Sequence, residues 1–451
     1  MGAFHAYDIR GVYNVDFDKD VAYKVGYFLP ELLSADKVLV GRDARVSSDE
    51  IHEWLLKGIT DAGADVFDAG LCTTPMVYFG TAFYGFKASV QITASHNPAE
   101  YNGMKVSREN ALPVGYDTGL GQIKEWIEAG RECPVAEKRG EVQQIDVRKD
   151  YLPFLLKYKE DWSDLKIAMD VSNGMASLFV HDIFGDEPAY IYDQMDGTFP
   201  NHEPNPLVAN NVVDLQKLVT ACKADIGIIF DGDADRVMFV DENSRFISPD
   251  LMIAVLGHYF LEERGEKGYI HQDIRSSKAV GEYLAPMGGV MNTWRVGRAY
   301  AALKLRELDG VYGGELAGHY YFRDFFYSDS GLLAAILIVN VVARMKAQGV
   351  SLSQLIGRIE KYQNSGEINF RLEDKKGAMD AVRDYFMQNE KSTAYMDFDG
   401  YRVEFPDWWF NIRPSNTEPY LRFLCEATSK ELLDEKVAKV REILTNQFGA
   451  R

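Results

Sequence analysis

The chain has 451 residues and a formal net charge of −19 at pH 7, with 46% hydrophobic and 26% charged residues. These proportions are ordinary for a soluble globular protein, and the length predicts three or four domains rather than one core. A strongly acidic chain repels other polyanions, so we expect no binding to nucleic acid and none to membranes. The expected partners are small molecules, and the expected assembly is a monomer or a homodimer.

The N-terminal segment lacks the apolar core of a signal peptide, and Ala6 stands where a myristoylation motif needs Ser or Thr. The longest apolar stretch, residues 332–343, contains Asn340 and is too short to cross a bilayer, so it predicts a buried helix. The four cysteines are scattered, with neither disulfide nor metal-ligand spacing. These features predict a cytoplasmic protein with reduced thiols.

Residues 1–150 alternate strand-like and helix-like segments. Apolar runs typical of strands at 37–40 and 64–67 flank a segment with helical spacing at 48–62. This βαβ alternation predicts a mainly parallel sheet covered by helices. Ahead of the first helix lies Arg10, whose guanidinium can donate two parallel hydrogen bonds to a phosphate.

Residues 91–105, QITASHNPAEYNGMK, leave a predicted buried strand and enter a polar turn. The proline has no N–H to donate, and Ser and Asn side chains bond their own backbone, so the strand ends there. The turn should hold the hydroxyl of Ser95 beside the His96 ring, with Lys105 nearby. Serine is a weak nucleophile unless a base or a metal lies close to it. A lone Ser–His pair is more often an ordinary polar turn, so the other motifs must decide between the two interpretations.

A second α/β unit, residues 151–245, contains the apolar run 225–230, which leads directly into DGDADR at 231–236. Three carboxylates so close together repel one another unless a cation binds, and oxygen ligands suit Mg²⁺. An EF-hand is the alternative interpretation. Two observations oppose it, because Arg236 occupies the place of the turn-making Gly and the flanking residues favour strands.

Residues 246–365 have a similar construction. A strand-like run at 269–273 turns into a helix at 274–278, and TWRVGRA at 293–299 carries two arginines around a glycine. The segment GELAGH at 314–319 then offers a glutamate and a histidine. A carboxylate accepts hydrogen bonds from sugar hydroxyls, and an imidazole titrates near pH 7. Either residue alone would more often be structural.

Residues 366–451 change in character. The segments predicted to be regular are two helices and two strands, at 378–389 and 430–446, and at 401–405 and 420–424. A turn is predicted at the aromatic residues 408–410. The segment RPSNTEP at 413–419 combines an arginine with hydroxyl, amide and backbone N–H donors, which can form an anion-binding nest.

Four of these segments resemble the motifs of the α-D-phosphohexomutases, in the family's order and one in each quarter of the chain. TASHNP followed by N-G-x-K is similar to the phosphoserine loop, DGDADR to the metal loop, GELAGH to the sugar loop and RPSNTEP to the phosphate-binding loop. The resemblance implies an α/β fold with four domains around a central cleft. Three related mixed α/β sheet domains should carry the first three motifs, and a smaller α+β C-terminal domain the fourth.

The resemblance also implies the residues of the site. Those expected to act in phosphoryl and proton transfer are Ser95, His96, Lys105, Arg10, Arg236 and His319. Those expected to hold Mg²⁺ are Ser95, Asp231, Asp233 and Asp235. Those expected to bind substrate are Tyr7, Arg275, Arg295, Arg298, Glu315, Ala317, His319, Arg413, Ser415, Asn416, Thr417 and Arg422.

The family's reaction moves a phosphate between O1 and O6 of a hexose. Phospho-Ser95 would give its phosphate to a hexose monophosphate, and the hexose 1,6-bisphosphate, also the expected activator, would turn round and return its other phosphate. Mg²⁺ would offset transition-state charge, and His319 or Lys105 would handle the hydroxyl proton. The resemblance thus predicts a magnesium-dependent isomerase of carbohydrate metabolism, in the phosphomannomutase/phosphoglucomutase branch, with sugar phosphates as substrates.

Four positions depart from the family's pattern. Ala234 replaces a glycine of the metal loop, Arg295 and Arg298 stand where Lys and His are common, and Ala317 replaces the serine of the sugar loop. Arginine at 298 keeps a positive charge but removes a proton-transfer role. The sugar loop favours mannose and glucose phosphates, with a phosphoglucosamine mutase as the alternative. A phosphatase with an aspartate nucleophile and a non-catalytic sugar-phosphate sensor are the rival classes.

Overall fold

The computed structural model describes residues 2–415 and 420–450. This part of the chain forms four sheets, one in each quarter, with helices packed against them. The first three sheets combine parallel and antiparallel pairs, whereas every described pairing in the fourth is antiparallel. The predicted fold class, three mixed α/β sheet domains and an α+β C-terminal domain, is confirmed.

The first sheet carries the segment around Ser95. Its strands are β1 (Ile9–Val12), β2 (Lys37–Arg42), β3 (Asp65–Leu71), β4 (Ala88–Ile92), β5 (Tyr101–Arg108) and β6 (Val142–Gln144), and its helices are α1 (Lys19–Leu33), α2 (Ser48–Asp61), α3 (Thr74–Phe83) and α4 (Leu120–Glu128). The strand order is β1-β5-β4-β2-β3-β6. Alternate residues of β2 enter different cores, because Val38 and Val40 join the apolar cluster of α1 and α2 while Leu39 joins that of α3. The predicted strand–helix–strand succession is confirmed.

The second and third sheets carry the acidic and sugar loops. The second domain contains α5 (Arg148–Leu156), β7 (Ile167–Asp170), α6 (Val180–Phe184), β8 (Ala189–Ile191), α7 (Ala209–Cys222), β9 (Ile226–Phe230), β10 (Val237–Asp241) and β11 (Phe246–Ile247). The third contains α8 (Leu251–Gly257), β12 (Gly268–Asp273), α9 (Lys278–Leu284), β13 (Gly289–Trp294), α10 (Arg298–Glu307), β14 (Tyr312–Gly314), β15 (Tyr320–Phe322), β16 (Ser328–Asp329), α11 (Gly331–Ala347) and α12 (Leu352–Ile359). The strand orders are β11-β10-β9-β7-β8 and β13-β12-β14-β15-β16. Each loop therefore follows an inner strand, as ligand sites of open α/β sheets commonly do.

The C-terminal sheet has the order β17-β22-β21-β20-β19, with β18 also paired to β22. Its elements are β17 (Gln363–Asn364), β18 (Ile368–Arg371), α13 (Lys375–Asn389), β19 (Ala394–Met396), β20 (Tyr401–Glu404), β21 (Trp408–Pro414), β22 (Tyr420–Ala427) and α14 (Lys430–Phe448). The turn predicted at residues 408–410 is wrong, because these residues begin β21. Trp408 and Phe410 enter the domain core while Trp409 stacks on Arg402, so both faces are buried and the alternation that signals a strand is lost.

The apolar clusters link the three α/β domains to one another but not to the C-terminal domain. One cluster joins residues of all three α/β domains, from Leu39 to Ile359, whereas the C-terminal domain has a cluster of its own. Helix α11 lies within the shared cluster, which confirms the buried helix predicted at 332–343. Between residues 2 and 450, outside the gap at 416–419, no single helix is long and apolar enough to cross a membrane; α11 and α12 pass that test only together, as a pair bent by 102°.

Candidate active site

The chain turns sharply after β4, at Ser95. The φ angle of Ser95 is 51°, in the left-handed region, and the residue is 1% exposed. Its Oγ donates to Oδ2 of Asp231 at 2.9 Å and lies 3.2 Å from Nδ1 of His96. The serine of the first domain is therefore held directly against the acidic loop of the second.

Arg45, which the sequence analysis did not single out, holds this turn in place. Its buried guanidinium pairs with Asp43 at 3.1 Å. It also donates to four backbone carbonyls of the turn, those of Ser95, Asn97, Pro98 and Tyr101. The four carbonyls lie 50 or more residues further along the chain, so no local sequence signal shows that Arg45 holds this turn.

The acidic loop lies between β9 and β10, so it lacks the flanking helices that an EF-hand requires. Asp231, Asp233 and Asp235 are completely buried, and one oxygen of each lies within 4.8 Å of the others. Nζ of Lys105 donates to Asp233 at 2.7 Å and to Asp235 at 2.6 Å. Burial, and then the charges of the other two aspartates, raise the pKa of Asp231 well above its usual value.

The chemistry of this donor set fits a divalent cation. Oδ1 of Asp233 and Oδ1 of Asp235 are buried and have no hydrogen-bond partner in the described chain. Buried carboxylate oxygens without donors are costly unless a cation lies among them. Thr74, a residue that the sequence analysis missed, positions the loop by donating through Oγ1 to Asp233. Ala234 has a φ of 63°, which explains why the family commonly has glycine there.

Two further predicted residues lie beside Ser95. Arg10 donates through Nη1 to Oδ1 of Asn97 at 2.8 Å and pairs with Asp8, and its buried Nε has no partner in the described structure. Burial, and then the positive charges of Arg236 and Arg10, lower the pKa of His96 well below its usual value. His96 is therefore neutral at pH 7, and the positive charge next to Ser95 comes from arginine and lysine.

The sugar loop connects β14 to β15. Glu315 is 1% exposed, and its Oε1 accepts from the backbone N–H of Gly297 at 2.9 Å. Burial raises the pKa of its carboxyl group. The backbone N–H of Leu316 donates to Asp273 at 2.8 Å, and the half-buried Ala317 has no polar side-chain atom to offer.

His319, at the end of this loop, is held from both sides. Its Nε2 accepts from Nε of Arg236 at 2.9 Å, and its Nδ1 lies 2.7 Å from Oδ2 of Asp329 and 3.7 Å from Asp235. Arg298 donates through Nε to the other oxygen of Asp329 at 2.9 Å. The carboxylate of Asp329 therefore bridges Arg298 and His319. Asp329 was not predicted, since nothing in its short strand distinguishes it.

The other two arginines of the third domain are held by neighbours. The guanidinium of Arg275 forms two bonds with Asp273, at 3.0 and 2.8 Å. Arg295 donates to the carbonyl of Phe398 in the C-terminal domain at 3.0 Å and lies over the Tyr300 ring at 4.7 Å. The first is thus oriented by a carboxylate, and the second joins two domains.

The C-terminal domain contributes two arginines on paired strands. Arg413 is buried, its Nη1 lies 3.7 Å from Oδ1 of Asp399, and its Nε has no hydrogen-bond partner among the residues described. Burial, and then the charge of Arg275, lower the pKa of Arg413. Arg422 faces Arg413 across the sheet and pairs with Glu367 at 3.1 Å. Positive charges gathered in this way can attract an anion.

Two further residues predicted to bind substrate, Tyr7 and Ser415, lie in the same part of the structure. Tyr7 of the first domain donates to the carbonyl of Val296 at 3.2 Å, and burial, followed by the charge of Asp399, raises its pKa to about 12. The backbone N–H of Ser415 donates to the carbonyl of Tyr420 at 2.9 Å. Asn416 and Thr417, also predicted to bind phosphate, lie outside the described residues.

Comparison with known proteins identifies the family to which this chain belongs. The models of the four phosphoglucomutase/phosphomannomutase domains, alpha/beta/alpha domains I, II and III and the C-terminal domain, match residues 1–132, 149–244, 248–362 and 367–443. A phosphomannomutase of Salmonella montevideo is 37% identical over 456 residues, with 98% of each chain covered. The chain belongs to the phosphoglucomutase/phosphomannomutase family. It is a phosphohexomutase, and the predicted isomerase activity on hexose phosphates is confirmed.

Solved structures agree with this assignment. A phosphoglucomutase/phosphomannomutase family protein of Burkholderia thailandensis has a TM-score of 0.84 at 29% identity, with 98% of this chain and 97% of that chain covered. The N-acetylphosphoglucosamine mutase of Aspergillus fumigatus, solved with GlcNAc-6P and magnesium, has a TM-score of 0.57 at 14% identity, covering 82% of this chain and 90% of that chain. The second comparison shows the shared fold alone.

Proposed function

We propose that this phosphohexomutase carries the transferred phosphate on Ser95 and interconverts the 1- and 6-phosphates of mannose, glucose or both. The observation that supports this most directly is the Ser95 hydroxyl, which donates to Asp231 inside a cluster of buried carboxylates and cations. A phosphate on this oxygen would lie among Arg10, Lys105 and Arg236. Arg10 and Lys105 are already paired with carboxylates before substrate binds, so they stabilise transition-state charge with little reorganisation.

The acidic loop is proposed to hold Mg²⁺. The residues that would bind it are Asp231, Asp233 and Asp235, together with the group on Ser95. When bound, the ion supplies positive charge at the transferring phosphoryl group. The protein's own contribution is a buried loop that Thr74 and Lys105 hold in place by hydrogen bonds. The burial of this loop also excludes water from the site.

The proton of the reacting hydroxyl is assigned to His319. Lys105 already donates to two carboxylates, so it acts as a fixed cation. The Nε2 atom of His319 accepts a hydrogen bond from Arg236, and it therefore carries the lone pair that a general base needs.

The sugar and the distal phosphate are assigned to the third and C-terminal domains. Glu315 would accept from the sugar hydroxyls, and Arg413, with Ser415, Asn416, Thr417 and Arg422, would bind the phosphate that is not reacting. The hexose 1,6-bisphosphate would form, turn round and return its second phosphate to Ser95. Free bisphosphate would restore any dephosphorylated serine, and in this way it acts as the activator.

Intact-mass analysis tests the central step. The purified enzyme is expected to carry one added phosphate, localised by peptide mapping to Ser95 and lost on incubation with hexose monophosphate. A panel of mannose, glucose, glucosamine and N-acetylglucosamine 1-phosphates then identifies the substrate. Turnover of glucosamine phosphate above the two neutral hexoses would replace the substrate assignment, and net release of inorganic phosphate would favour a phosphatase.

A further inference from the structure

Asp329, at the end of β16, belongs to none of the four motifs, yet it lies directly behind the proposed general base. The residue is completely buried, and each of its oxygens has one partner. Oδ2 is 2.7 Å from Nδ1 of His319, and Oδ1 accepts from Nε of Arg298 at 2.9 Å. A buried carboxylate with two such partners holds both side chains in a fixed orientation.

The contact on the opposite side of the ring agrees with a proton on the nitrogen that faces Asp329. The Nε atom of Arg236 always bears a hydrogen, and it points at Nε2 of His319 at 2.9 Å. Nε2 must therefore be the acceptor. The hydrogen of the neutral ring is then on Nδ1, from which it is donated to Asp329.

Arg298 holds the aspartate in turn. Its guanidinium lies over the Tyr78 ring at 3.6 Å and donates through Nη2 to the carbonyl of Ala111 at 3.1 Å, and both of these partners belong to the first domain. An arginine stacked on an aromatic face and bonded on two sides has little freedom to rotate. The chain of contacts thus runs from the domain that carries Ser95 to the ring of His319.

We propose that Asp329, held by Arg298, is a positioning residue that keeps His319 in the Nδ1–H tautomer, so that Nε2 is the nitrogen that exchanges the substrate proton. The inference rests on the proposed function only in assigning the proton transfer to His319. The tautomer itself is a property of the free enzyme and is measured without turnover.

The first test uses the native enzyme, labelled with ¹⁵N in its histidines. Long-range proton–nitrogen correlation spectra separate the two ring nitrogens, and the variant His319→Gln assigns the signals by removing them. His319 is expected to show a protonated Nδ1 and an unprotonated Nε2 at neutral pH. A ring with its hydrogen on Nε2, or one that averages between the two tautomers, would overturn the proposal.

The second test is Asp329→Asn. An amide has one accepting and one donating end, so it cannot accept from both His319 and Arg298. We expect loss of the Nδ1–H signature and a fall in kcat of about 100-fold or more, the usual contribution of a general acid–base group, with KM changed less than about threefold.

The matched control is Asp61→Asn. Asp61 is also a buried carboxylate with several donors, including Tyr23 and Lys57, but it lies in α2 away from the site. The control should lower thermal stability and leave kcat within about twofold. An Asp329→Asn enzyme that keeps the tautomer and the native kcat would contradict the positioning role. Native turnover by His319→Gln would instead contradict the proton-transfer assignment, whatever the tautomer.

Discussion

The first three domains and the C-terminal domain differ in how they are built. The three α/β domains share one apolar cluster, and the groups around Ser95 are buried and largely paired with one another. The C-terminal domain has its own apolar cluster, and it meets the third domain through buried hydrogen bonds from Arg402 to the carbonyls of Ile274 and Ser276. Among the residues of this domain that are proposed to bind phosphate, Arg413 has an Nε atom with no hydrogen-bond partner in the described chain. The proposed catalytic groups thus lie in domains that share a core, and the proposed site for the distal phosphate lies on a domain with its own core.

This difference suits an intermediate that must turn round. A shared core resists relative movement because moving its domains would expose apolar surface. Domains with separate cores are expected to move relative to each other more readily. We infer that the C-terminal domain opens for the bisphosphate to turn and closes to exclude water during transfer.

The largest expected effect comes from Ser95→Ala, within the shared core. This variant removes the atom that carries the phosphate, so mutase turnover should be lost while the fold and metal binding remain. Turnover is measured with added hexose 1,6-bisphosphate. The control is Ser172→Ala, since Ser172 is equally buried and also has a left-handed φ, of 53°; it should keep most of its activity. Full activity of Ser95→Ala would remove the assignment.

The second prediction tests the acidic loop. Asp233→Ala removes one of three carboxylates, and the affinity for Mg²⁺ should fall at least about 10- to 100-fold, the loss that is usual even for removal of an outer-shell partner. Calorimetric titration of Mg²⁺ measures this. Asp241→Asn, a buried aspartate on β10 that caps backbone N–H groups, serves as the control. Equal Mg²⁺ affinity in the Asp233 variant and the native enzyme would place the metal elsewhere.

The third prediction concerns the separate C-terminal body. Arg413→Ala removes a charge-assisted contact that exists before and during transfer, so KM should rise about 30-fold, equivalent to roughly 2 kcal/mol. Weaker holding should also release 1,6-bisphosphate, detected by chromatography, and increase the dependence on added bisphosphate. Arg413→Lys, which keeps the charge, should be affected less. A native KM without leakage would show that the phosphate site lies elsewhere.

The fourth prediction concerns Glu426, which lies at the contact between the third domain and the C-terminal domain. Glu426 accepts from Ser277 of the third domain and from Trp409, and burial raises its pKa to about 7. A raised carboxyl pKa means that the folded state binds an extra proton between about pH 4.5 and 7, so stability falls as pH rises through this range. The loss should reach about 3 kcal/mol above pH 7. Glu426→Gln should lack it, as measured by urea unfolding at several pH values; identical pH profiles would contradict the prediction.

The smallest expected effect is in sugar selection. Ala317 offers no hydrogen bond, so mannose and glucose phosphates, which differ only at C2, should be distinguished less than about a thousandfold, or roughly 4 kcal/mol. Ala317→Ser adds one donor, worth on the order of 1 kcal/mol, and should change the ratio of kcat/KM values about fivefold. Measuring both substrates with both enzymes checks this. A native preference above a thousandfold would mean that other residues read the sugar.

Local sequence was sufficient for much of the fold and for the parts of the site that are contiguous. The helical spacing at 48–62 predicted α2 because one face of that helix is buried, and the continuous apolar run at 225–230 predicted β9 because that strand is buried throughout. The acidic loop and the Ser95 turn were also visible, since their chemistry lies within six or seven consecutive positions. The aromatic start of β21 was not, because burial on both faces leaves no alternation and its apolar run is only three residues long.

Tertiary structure decided everything that depends on partners distant in the chain. Arg45 and Asp329 have no local signal, since each acts through contacts with residues from other elements. The same holds for Arg298, which was predicted from the sequence to bind substrate. The structure places it between Asp329 and the first domain. A buried charge is stable only where its partners converge, and that convergence is a property of the packed domains rather than of any segment.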